Sequence, residues 1–502
     1  MSINPISPAP NLEHYFSAFR ENIIGQGQII ETPYGFKRMI YADWTASGRL
    51  YKTIEDNIRY SIAPFVANTH TETNITGTSM TLGYHYAQKI IKKHVNANQN
   101  DVLIMTGSGM TGAVNKFQRI LGMKSNVVIE NELNRPVIFV SSLEHHSNDV
   151  SWRETNADVV LVDLCANGNI DLKHLKRLLV EYKDRKHKIA AITGCSNVTG
   201  IQTPYHKVAK IMHKNDGKCF VDFACSAPYV KINMHPKNKL ERLDAIFFSM
   251  HKFLGGPGAP GVLLFNKKLY KNDVPDHPGG GTVQWVNSWG EQAYHSNEGV
   301  AGIEAREDGG TPPFLQTMRA ALAVKLKESM GMKKIMRREE ELLEIIFDGF
   351  EKIPNLKILS GDQKERMGVM SFIIEGLHYN LGVKLLNDHF GIQVRGGCAC
   401  AGPYGHCLLD ISHDVSKSIT NKISGGDLTA KPGWIRMSIH PTMTNEEVEY
   451  IVNSIREVAE NYEEWAKDYH YNPNTNEFEN QLRNDRAIQM SKVVEWFDVK
   501  MA

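Results

Sequence analysis

Lys252 has the clearest chemical setting in this sequence. It follows an apolar run at 244–249 that is typical of a buried strand, and a turn rich in glycine and proline comes next at 255–261. Because such a strand end holds the amine in a dry environment, we expect desolvation to favour its neutral, nucleophilic form. A neutral lysine can form a Schiff base with a carbonyl group. The alternative is an ordinary surface lysine that begins a loop.

A carboxylate, Asp222, stands near the end of a second apolar run at 218–223. A lone aspartate in this position is usually a turn or capping residue. A pyridoxal cofactor, however, needs a carboxylate that keeps its ring nitrogen protonated, so that the ring can accept electrons. Asp222 and Lys252 together therefore favour pyridoxal chemistry.

Two further strand ends carry residues suited to such a cofactor. The segment 106–112 (Thr-Gly-Ser-Gly-Met-Thr-Gly) follows a strand and opens a helix, where backbone amides can bind a phosphate. The segment 143–148 (Leu-Glu-His-His-Ser-Asn) ends another strand with rings that could stack on a flat cofactor. Each signal is weak by itself, since isolated histidines and Gly-Ser-Gly turns are more often structural.

The elements that must position these residues form an α/β pattern. Apolar, strand-like runs alternate with segments of helical period, and this predicts a large, mostly parallel sheet wrapped by helices. The seven runs are 102–106, 136–141, 158–164, 188–193, 218–223, 244–249 and 261–265. Ligands of such sheets bind beyond the carboxyl ends of the strands, where the candidate residues fall.

A second pattern of strands and helices follows a long amphipathic helix that begins near residue 331. We therefore predict an N-terminal arm (1–40), a large cofactor-binding domain (41–332), a smaller α+β domain (333–466) and a C-terminal tail (467–502).

Composition limits the classes of function. The 502 residues include 57 Lys+Arg and 56 Asp+Glu, a balance that argues against nucleic-acid binding. No apolar run approaches the roughly 18 residues of a membrane span, and residues 1–10 do not resemble a secretory signal. Seven cysteines without a regular spacing suit a reducing compartment, so we expect a cytoplasmic enzyme.

Together, these segments resemble the class V family of pyridoxal-phosphate enzymes, and within it the cysteine desulfurase and selenocysteine lyase branch. The resemblance runs from about Tyr41 to Ile455. It also includes the segments 41–46 (Tyr-Ala-Asp-Trp-Thr-Ala), 196–200 (Ser-Asn-Val-Thr-Gly) and 249–252 (Ser-Met-His-Lys). It implies the type I fold of pyridoxal-phosphate enzymes, with a seven-stranded sheet in the large domain.

The resemblance also implies how the cofactor, pyridoxal 5'-phosphate, is bound. Lys252 matches the Schiff-base lysine, His145 the catalytic ring that stacks on the cofactor, and Asp222 the partner of the ring nitrogen. Asn197 falls near the phenolic oxygen of the cofactor and near the substrate. The residues at phosphate-binding positions are Thr111, Ser249 and His251, and Thr311, which matches a threonine lent to the other subunit of a homodimer.

Two C-terminal segments match the family's substrate-handling residues. The segment 394–401 (Val-Arg-Gly-Gly-Cys-Ala-Cys-Ala) puts Cys400 at the sulfur-accepting cysteine and Arg395 beside the substrate. The segment 433–438 puts Arg436 at the arginine that pairs with the substrate carboxylate, a task suited to its planar fork. The implied reaction converts L-cysteine to alanine with a persulfide on Cys400, and a sulfur-acceptor protein is a possible partner.

Two departures from the family pattern bear on the substrate. Cys225 stands where the family's desulfurases usually have glutamine, and an insertion near 402–431 lengthens the connection between Arg395 and Arg436. The alternative function is therefore another class V reaction on a small amino acid, such as transamination, β-elimination or epimerisation.

Two hypotheses outside pyridoxal-phosphate catalysis, a metal site and an inactive binding protein, have less support in the sequence. Cys398, Cys400, His406 and Cys407 are soft metal ligands, but their spacing fits the paired ligands of zinc sites poorly, and we expect no metal. An inactive binding protein on the enzyme fold would not be expected to retain Lys252, Asp222, His145 and Arg436 together.

Overall fold

A seven-stranded sheet, here called the central sheet, organises the first two thirds of the computed structural model, which describes residues 11–69, 71–124 and 129–499. From one edge to the other its strands are Asp101–Thr106, Gly261–Asn266, Ala245–Ser249, Lys218–Asp222, Lys188–Thr193, Val137–Ser141 and Asp158–Val162. Gly261–Asn266 is antiparallel to both neighbours and the other strands share one direction. The predicted mostly parallel sheet is confirmed.

Both faces of the central sheet are buried except along the edge strand Asp158–Val162, because alternate residues of the other strands enter different hydrophobic clusters. Leu103 and Phe139 belong to one cluster, whereas Ile104 and Ile138 belong to the other. Covering two apolar faces requires helices on both sides. The helices of this part are Leu12–Arg20, Lys52–Asp56, Ile75–His94, Gly109–Ile120, His146–Arg153, Leu172–Glu181, Tyr205–His213, Val300–Arg306 and Phe314–Met330.

A four-stranded antiparallel sheet, here called the C-terminal sheet, follows the helix Met332–Phe350. Its strands in spatial order are Leu356–Ile358, Val369–Ile374, Trp434–Ser438 and Arg395–Gly397. The helix Tyr379–Phe390 packs with this sheet, and the helix Asn445–Trp465 packs with Tyr379–Phe390 and Met332–Phe350. Thr444 and Glu447 form a capping box at the start of Asn445–Trp465. This part has the α+β composition expected, while the boundaries between the four predicted units stay a prediction.

The N-terminal segment joins the C-terminal part. Ile40–Tyr41 pairs in parallel with Ile392–Gln393, so a segment that precedes the central sheet in sequence lies beside the C-terminal sheet. The remaining two-stranded pairs are Ile29–Thr32 with Gly35–Arg38, Val283–Val286 with Gln292–Tyr294, and Tyr469–Asn472 with Glu477–Asn480.

The region of the predicted insertion folds into two helices, Gly402–Leu408 and His413–Ser424, and the last described helix is Asp485–Glu495. Tyr404 anchors the first of these, since its buried hydroxyl lies 3.2 Å from the Thr199 hydroxyl. Across the described ranges, none of the helices has both the length and the apolar character that crossing a membrane requires.

Candidate active site

A cavity of about 220 Å³ lies at the carboxyl ends of the central strands, where they face the C-terminal sheet. It brings together ten of the eleven residues that the sequence singled out: Thr111, His145, Asn197, Asp222, Ser249, His251, Lys252, Arg395, Cys400 and Arg436. The eleventh, Thr311, lies outside this cavity in its own chain, where its hydroxyl donates to Asn68 Oδ1 at 3.2 Å.

Lys252 ends a short helical turn, Met250–Lys252, directly after the buried strand Ala245–Ser249. Gly256 allows the chain to fold back here, because a Cβ at that position would lie 1.9 Å from the Met250 carbonyl oxygen. Desolvation lowers the pKa of Lys252, and the nearby Cys225 and Asp222 oppose that shift. The turn thus presents an amine to the cavity with its neutral form favoured.

Asp222 is the last residue of a central strand and is 2% exposed. Burial raises the pKa of its carboxyl to about 6, although the Ala224 N–H, which donates to Oδ1 at 2.8 Å, and Lys252 both lower it. A carboxylate this poorly solvated favours a positively charged partner.

The helix Gly109–Ile120 points its N-terminus at the same cavity. The Met110 N–H donates to Ser249 Oγ at 2.8 Å, which fixes the helix start against the end of a neighbouring strand. Gly109 has φ +64°, and a Cβ there would lie 2.7 Å from Ser249 Oγ and 3.5 Å from the His251 ring. The absent side chain leaves a cradle of backbone and hydroxyl donors that suits a phosphate group.

His145 caps the helix His146–Arg153, and its Nδ1 accepts the Ser147 N–H at 3.1 Å. That bond fixes the ring at the cavity wall. Burial, helped by the nearby Lys252, lowers the pKa of His145 to about 3. The ring is therefore neutral near pH 7, which favours a flat, uncharged stacking surface.

Arg395 and Arg436 lie directly opposite each other on the antiparallel strands Arg395–Gly397 and Trp434–Ser438. Between them lies a residue to which the sequence analysis assigned no role, Asp43. Its Oδ1 is 2.7 Å from Arg436 Nη2, and its Oδ2 is 3.0 Å from Arg395 Nε. Two sequence signals could have drawn attention to it: its position just after an apolar strand-like segment and its place in the segment 41–46, which resembles the family.

Cys400 is exposed at the cavity mouth on a loop with unusual backbone geometry. Ala399 and Cys400 have φ +50° and +56°, in the left-handed region that costs energy for residues other than glycine. Two bonds stabilise the loop: Asn197 Nδ2 donates to the Ala399 carbonyl at 2.7 Å, and the His146 N–H donates to the Cys400 carbonyl at 2.8 Å.

Two more cysteines line the cavity on the side of Lys252, and the sulfur of Cys225 lies 4.0 Å from that of Cys195. The hydrogen bond between these thiols, together with Lys252 and Arg436, lowers the pKa of Cys225. The thiol that stands in place of the family's glutamine therefore faces the cavity.

The residues present fit pyridoxal phosphate. The cavity holds a desolvated amine for its carbonyl, a buried carboxylate for its ring nitrogen, a neutral ring for stacking and a donor cradle for its phosphate. Asn197 Nδ2 uses one of its two N–H groups on Ala399, and its Oδ1 is buried without a hydrogen-bond partner in the described part of the chain.

The four soft ligands considered for a metal do not form such a site. Cys398, Cys400, His406 and Cys407 do not come together as a group of three or more that could hold an ion, and no such group occurs within the described ranges. The His406 nitrogens instead lie 2.9 Å from the Gly402 carbonyl and 2.8 Å from the Ser416 hydroxyl.

Comparison with known proteins agrees with this geometry. The family model described as Aminotransferase class-V matches residues 40–451. A probable cysteine desulfurase of Staphylococcus aureus (strain Mu50 / ATCC 700699) is 26% identical over 452 residues, which cover 89% of this chain and 98% of the relative. A probable cysteine desulfurase of Staphylococcus epidermidis (strain ATCC 12228 / FDA PCI 1200) is 27% identical over 397 residues, or 78% and 89% of the two chains.

Solved structures share the fold. A cysteine desulfurase from Thermococcus onnurineus NA1, in its apo form, has a TM-score of 0.68 at 22% identity and covers 88% of this chain and 98% of its own. The cysteine desulfurase CsdA from Escherichia coli has a TM-score of 0.68 at 20% identity, with coverage of 89% and 98%. The predicted fold, that of type I pyridoxal-phosphate enzymes, is confirmed.

Proposed function

Because this chain belongs to the class-V aminotransferase family, whose enzymes depend on pyridoxal phosphate, we propose that it is a cysteine desulfurase. It would convert L-cysteine to L-alanine and leave the sulfur as a persulfide on Cys400. The observation that carries this proposal is that one cavity is lined by an exposed thiol, a buried guanidinium and a desolvated amine, those of Cys400, Arg436 and Lys252. Relatives named probable cysteine desulfurases, matched over most of their length, support it.

In this proposal Lys252, Asp222, His145 and the loop before the helix Gly109–Ile120 hold the cofactor. When bound, pyridoxal phosphate supplies an electron sink for the electron pair that remains after a Cα–H bond breaks. Asp222 is buried enough to keep a cationic ring nitrogen protonated, and His145 is neutral and fixed by the Ser147 N–H.

Arg436 binds the substrate carboxylate. Its side chain is 4% exposed, and its Nη1 donates to the Asn197 carbonyl at 3.2 Å, so the guanidinium plane is held in place. Lys252 then takes the proton from the substrate Cα, because the same desolvation that lowers its pKa makes a neutral amine available as a base.

Cys400 accepts the sulfur. Its thiolate attacks the substrate sulfur, the new S–S bond forms, and the Cβ–S bond breaks with its electron pair left on the carbon side. Protonation of that carbon yields alanine, and the persulfide remains on an exposed loop where an acceptor protein could reach it.

The test is incubation of the purified, cofactor-loaded protein with L-cysteine and a thiol reductant, which reduces the persulfide and releases its outer sulfur as sulfide, while alanine and sulfide are measured. Cys400→Ala is expected to reduce sulfide release to the background rate, because no thiolate then reaches the substrate sulfur. Cys407→Ala is the matched control, since Cys407 is also an exposed thiol in the same region but does not line the cavity.

Sulfide release at the wild-type rate from Cys400→Ala would overturn the persulfide route. Absence of alanine from L-cysteine, with turnover of another amino acid, would point instead to the other class V reactions.

We also propose that the enzyme is a homodimer in the cytoplasm. Thr311 is exposed and lies outside the cavity of its own chain, as expected of a residue that serves a second subunit. All seven cysteines are free thiols, the state expected in a reducing compartment.

A further inference from the structure

The two arginines at the substrate end of the cavity present an electrostatic problem. Arg395 and Arg436 are direct cross-strand neighbours in the C-terminal sheet. Like charges in that position destabilise a sheet, and Arg436 is almost fully buried, so water cannot compensate its charge.

Asp43 compensates part of this charge. One of its carboxylate oxygens contacts each guanidinium, at 2.7 Å for Arg436 and 3.0 Å for Arg395. The side chain of Asp43 is 13% exposed and that of Arg395 is 48% exposed, so the carboxylate lies between a buried cation and a half-exposed one.

Backbone contacts hold Asp43 in this place. The Ser438 N–H donates to the Ala42 carbonyl at 2.7 Å, and the Thr45 N–H donates to Ser438 Oγ at 2.9 Å. The residues on both sides of Asp43 are thus bonded to the end of the strand that carries Arg436, and the carboxylate can stay in position when a ligand binds.

Asp43 does not use all the hydrogen-bond donors of the Arg436 guanidinium. The Nη2 group donates to Asp43 and Nη1 donates to the Asn197 carbonyl, whereas the buried Nε has no hydrogen-bond partner in the described part of the chain. A guanidinium has five N–H groups, so donors remain for a carboxylate. The local charge of two arginines and one aspartate is +1, which one carboxylate would neutralise.

We propose that Asp43 is a specificity-determining residue, which sets this site to accept an amino acid with one carboxylate and to reject one with two. The inference rests on the proposed role of Arg436 in binding the substrate carboxylate. In the wild type a second carboxylate would approach arginines whose charge Asp43 and the first carboxylate already neutralise, and the nearby like charges oppose binding.

The test measures binding rather than turnover. Propionate and succinate lack an amine, so they cannot react with the cofactor, and their dissociation constants can be obtained by calorimetry on the cofactor-loaded protein. The wild type is expected to prefer propionate. Asp43→Asn raises the local charge to +2 and is expected to shift the preference toward succinate by about tenfold, or about 1.4 kcal/mol.

A second variant restores the local charge by removing one arginine together with Asp43. In Asp43→Asn combined with Arg395→Gln the local charge returns to +1, so the preference for propionate is expected to return. Asp158→Asn is the matched control, because Asp158 also pairs with two arginines, Arg135 and Arg185, neither of which lines the cavity. It should leave the preference unchanged.

An unchanged ratio of the two dissociation constants in Asp43→Asn, with cofactor binding intact, would overturn the inference. So would a double variant that keeps the preference of Asp43→Asn. If the ratio shifts as expected but L-cysteine yields no sulfide, desulfuration fails and the role of Asp43 stands. If Arg436→Ala binds propionate as the wild type does, the carboxylate site fails and the inference with it.

Discussion

At the scale of single residues, burial shifts an acid and a base of one cavity toward their neutral forms. The pKa of Asp222 is raised to about 6, and the pKa of Lys252 is lowered. A raised carboxyl pKa beside a lowered amine pKa is typical of catalytic sites, where desolvated groups bind a charged or reactive ligand. In the protein without cofactor, the same burial should cost stability.

Asp222→Asn is expected to stabilise the cofactor-free protein at pH 7. A carboxyl whose folded pKa of about 6 exceeds its ordinary 3.8 holds its proton more tightly when folded, so stability is lost as pH rises through this window. The amide avoids that loss. The gain in the free energy of unfolding should be up to about 3 kcal/mol at pH 7 and should vanish below about pH 4, as measured by urea denaturation.

The comparison variant for this prediction is Asp158→Asn. The pKa of Asp158 is lowered by its two arginines, so this variant should lose stability at pH 7 and lose little at low pH. A gain in Asp222→Asn that was the same at pH 4 and pH 7 would contradict an origin in carboxyl desolvation.

At the scale of elements, the loop around Cys400 is held by the elements next to it. Two residues in the left-handed region are retained because their carbonyls accept hydrogen bonds from Asn197 and His146. The Gly402 N–H also donates to His146 Nε2 at 2.9 Å, which ties the start of the helix Gly402–Leu408 to the helix that His145 caps. The insertion region thus supports both the loop that carries Cys400 and the helix that His145 caps.

The start of the helix Gly109–Ile120 gives a prediction about the phosphate cradle. Gly109→Ala is expected to weaken pyridoxal-phosphate affinity at least tenfold, about 1.4 kcal/mol, because the new Cβ meets Ser249 Oγ at 2.7 Å. The measurement is a titration of the cofactor-free protein followed by its absorbance.

Gly122→Ala is the control for this helix. Gly122 has φ +69° and open space around its Cβ position, so the variant carries similar backbone strain of about 1–2 kcal/mol without entering the cradle. It should lose stability and keep its cofactor affinity. Equal losses of affinity in both variants would show that strain, not the cradle, was responsible.

At the scale of the whole molecule, the proposed homodimer makes a prediction about sharing of residues. If Thr311 serves the partner's phosphate site, chains carrying Lys252→Ala and chains carrying Thr311→Ala should complement each other. A mixed dimer then has one site with an intact lysine and an intact threonine. Random assembly should restore about one quarter of wild-type activity, because half of the dimers are mixed and each has one complete site.

Activity from coexpressed chains, at limiting cofactor, measures this complementation. Each variant expressed alone is the control and should remain well below the mixture. If the mixture is no more active than the mean of the two variants, Thr311 does not contribute to the partner's site: it acts in its own chain or has no role in the site.

Much of the site could be predicted from the sequence because the strands determine where its residues lie. Apolar runs define the central strands, and the carboxyl ends of parallel strands meet at one edge of a sheet. Lys252, Asp222, His145 and the loop before the helix Gly109–Ile120 each follow such a run, so their convergence followed from local patterns and the family resemblance.

Only the tertiary structure decided the surroundings of the two arginines. Asp43 is 352 residues from Arg395 and 393 residues from Arg436, and it reaches them through a two-residue parallel pairing, Ile40–Tyr41 with Ile392–Gln393. No local periodicity specifies a pairing that short, since its register depends on how the C-terminal sheet packs against the central one. The sequence by itself thus determined which chemical groups reach the cavity from the ends of the central strands. Packing between distant segments decided that Asp43 neutralises part of the charge of Arg395 and Arg436.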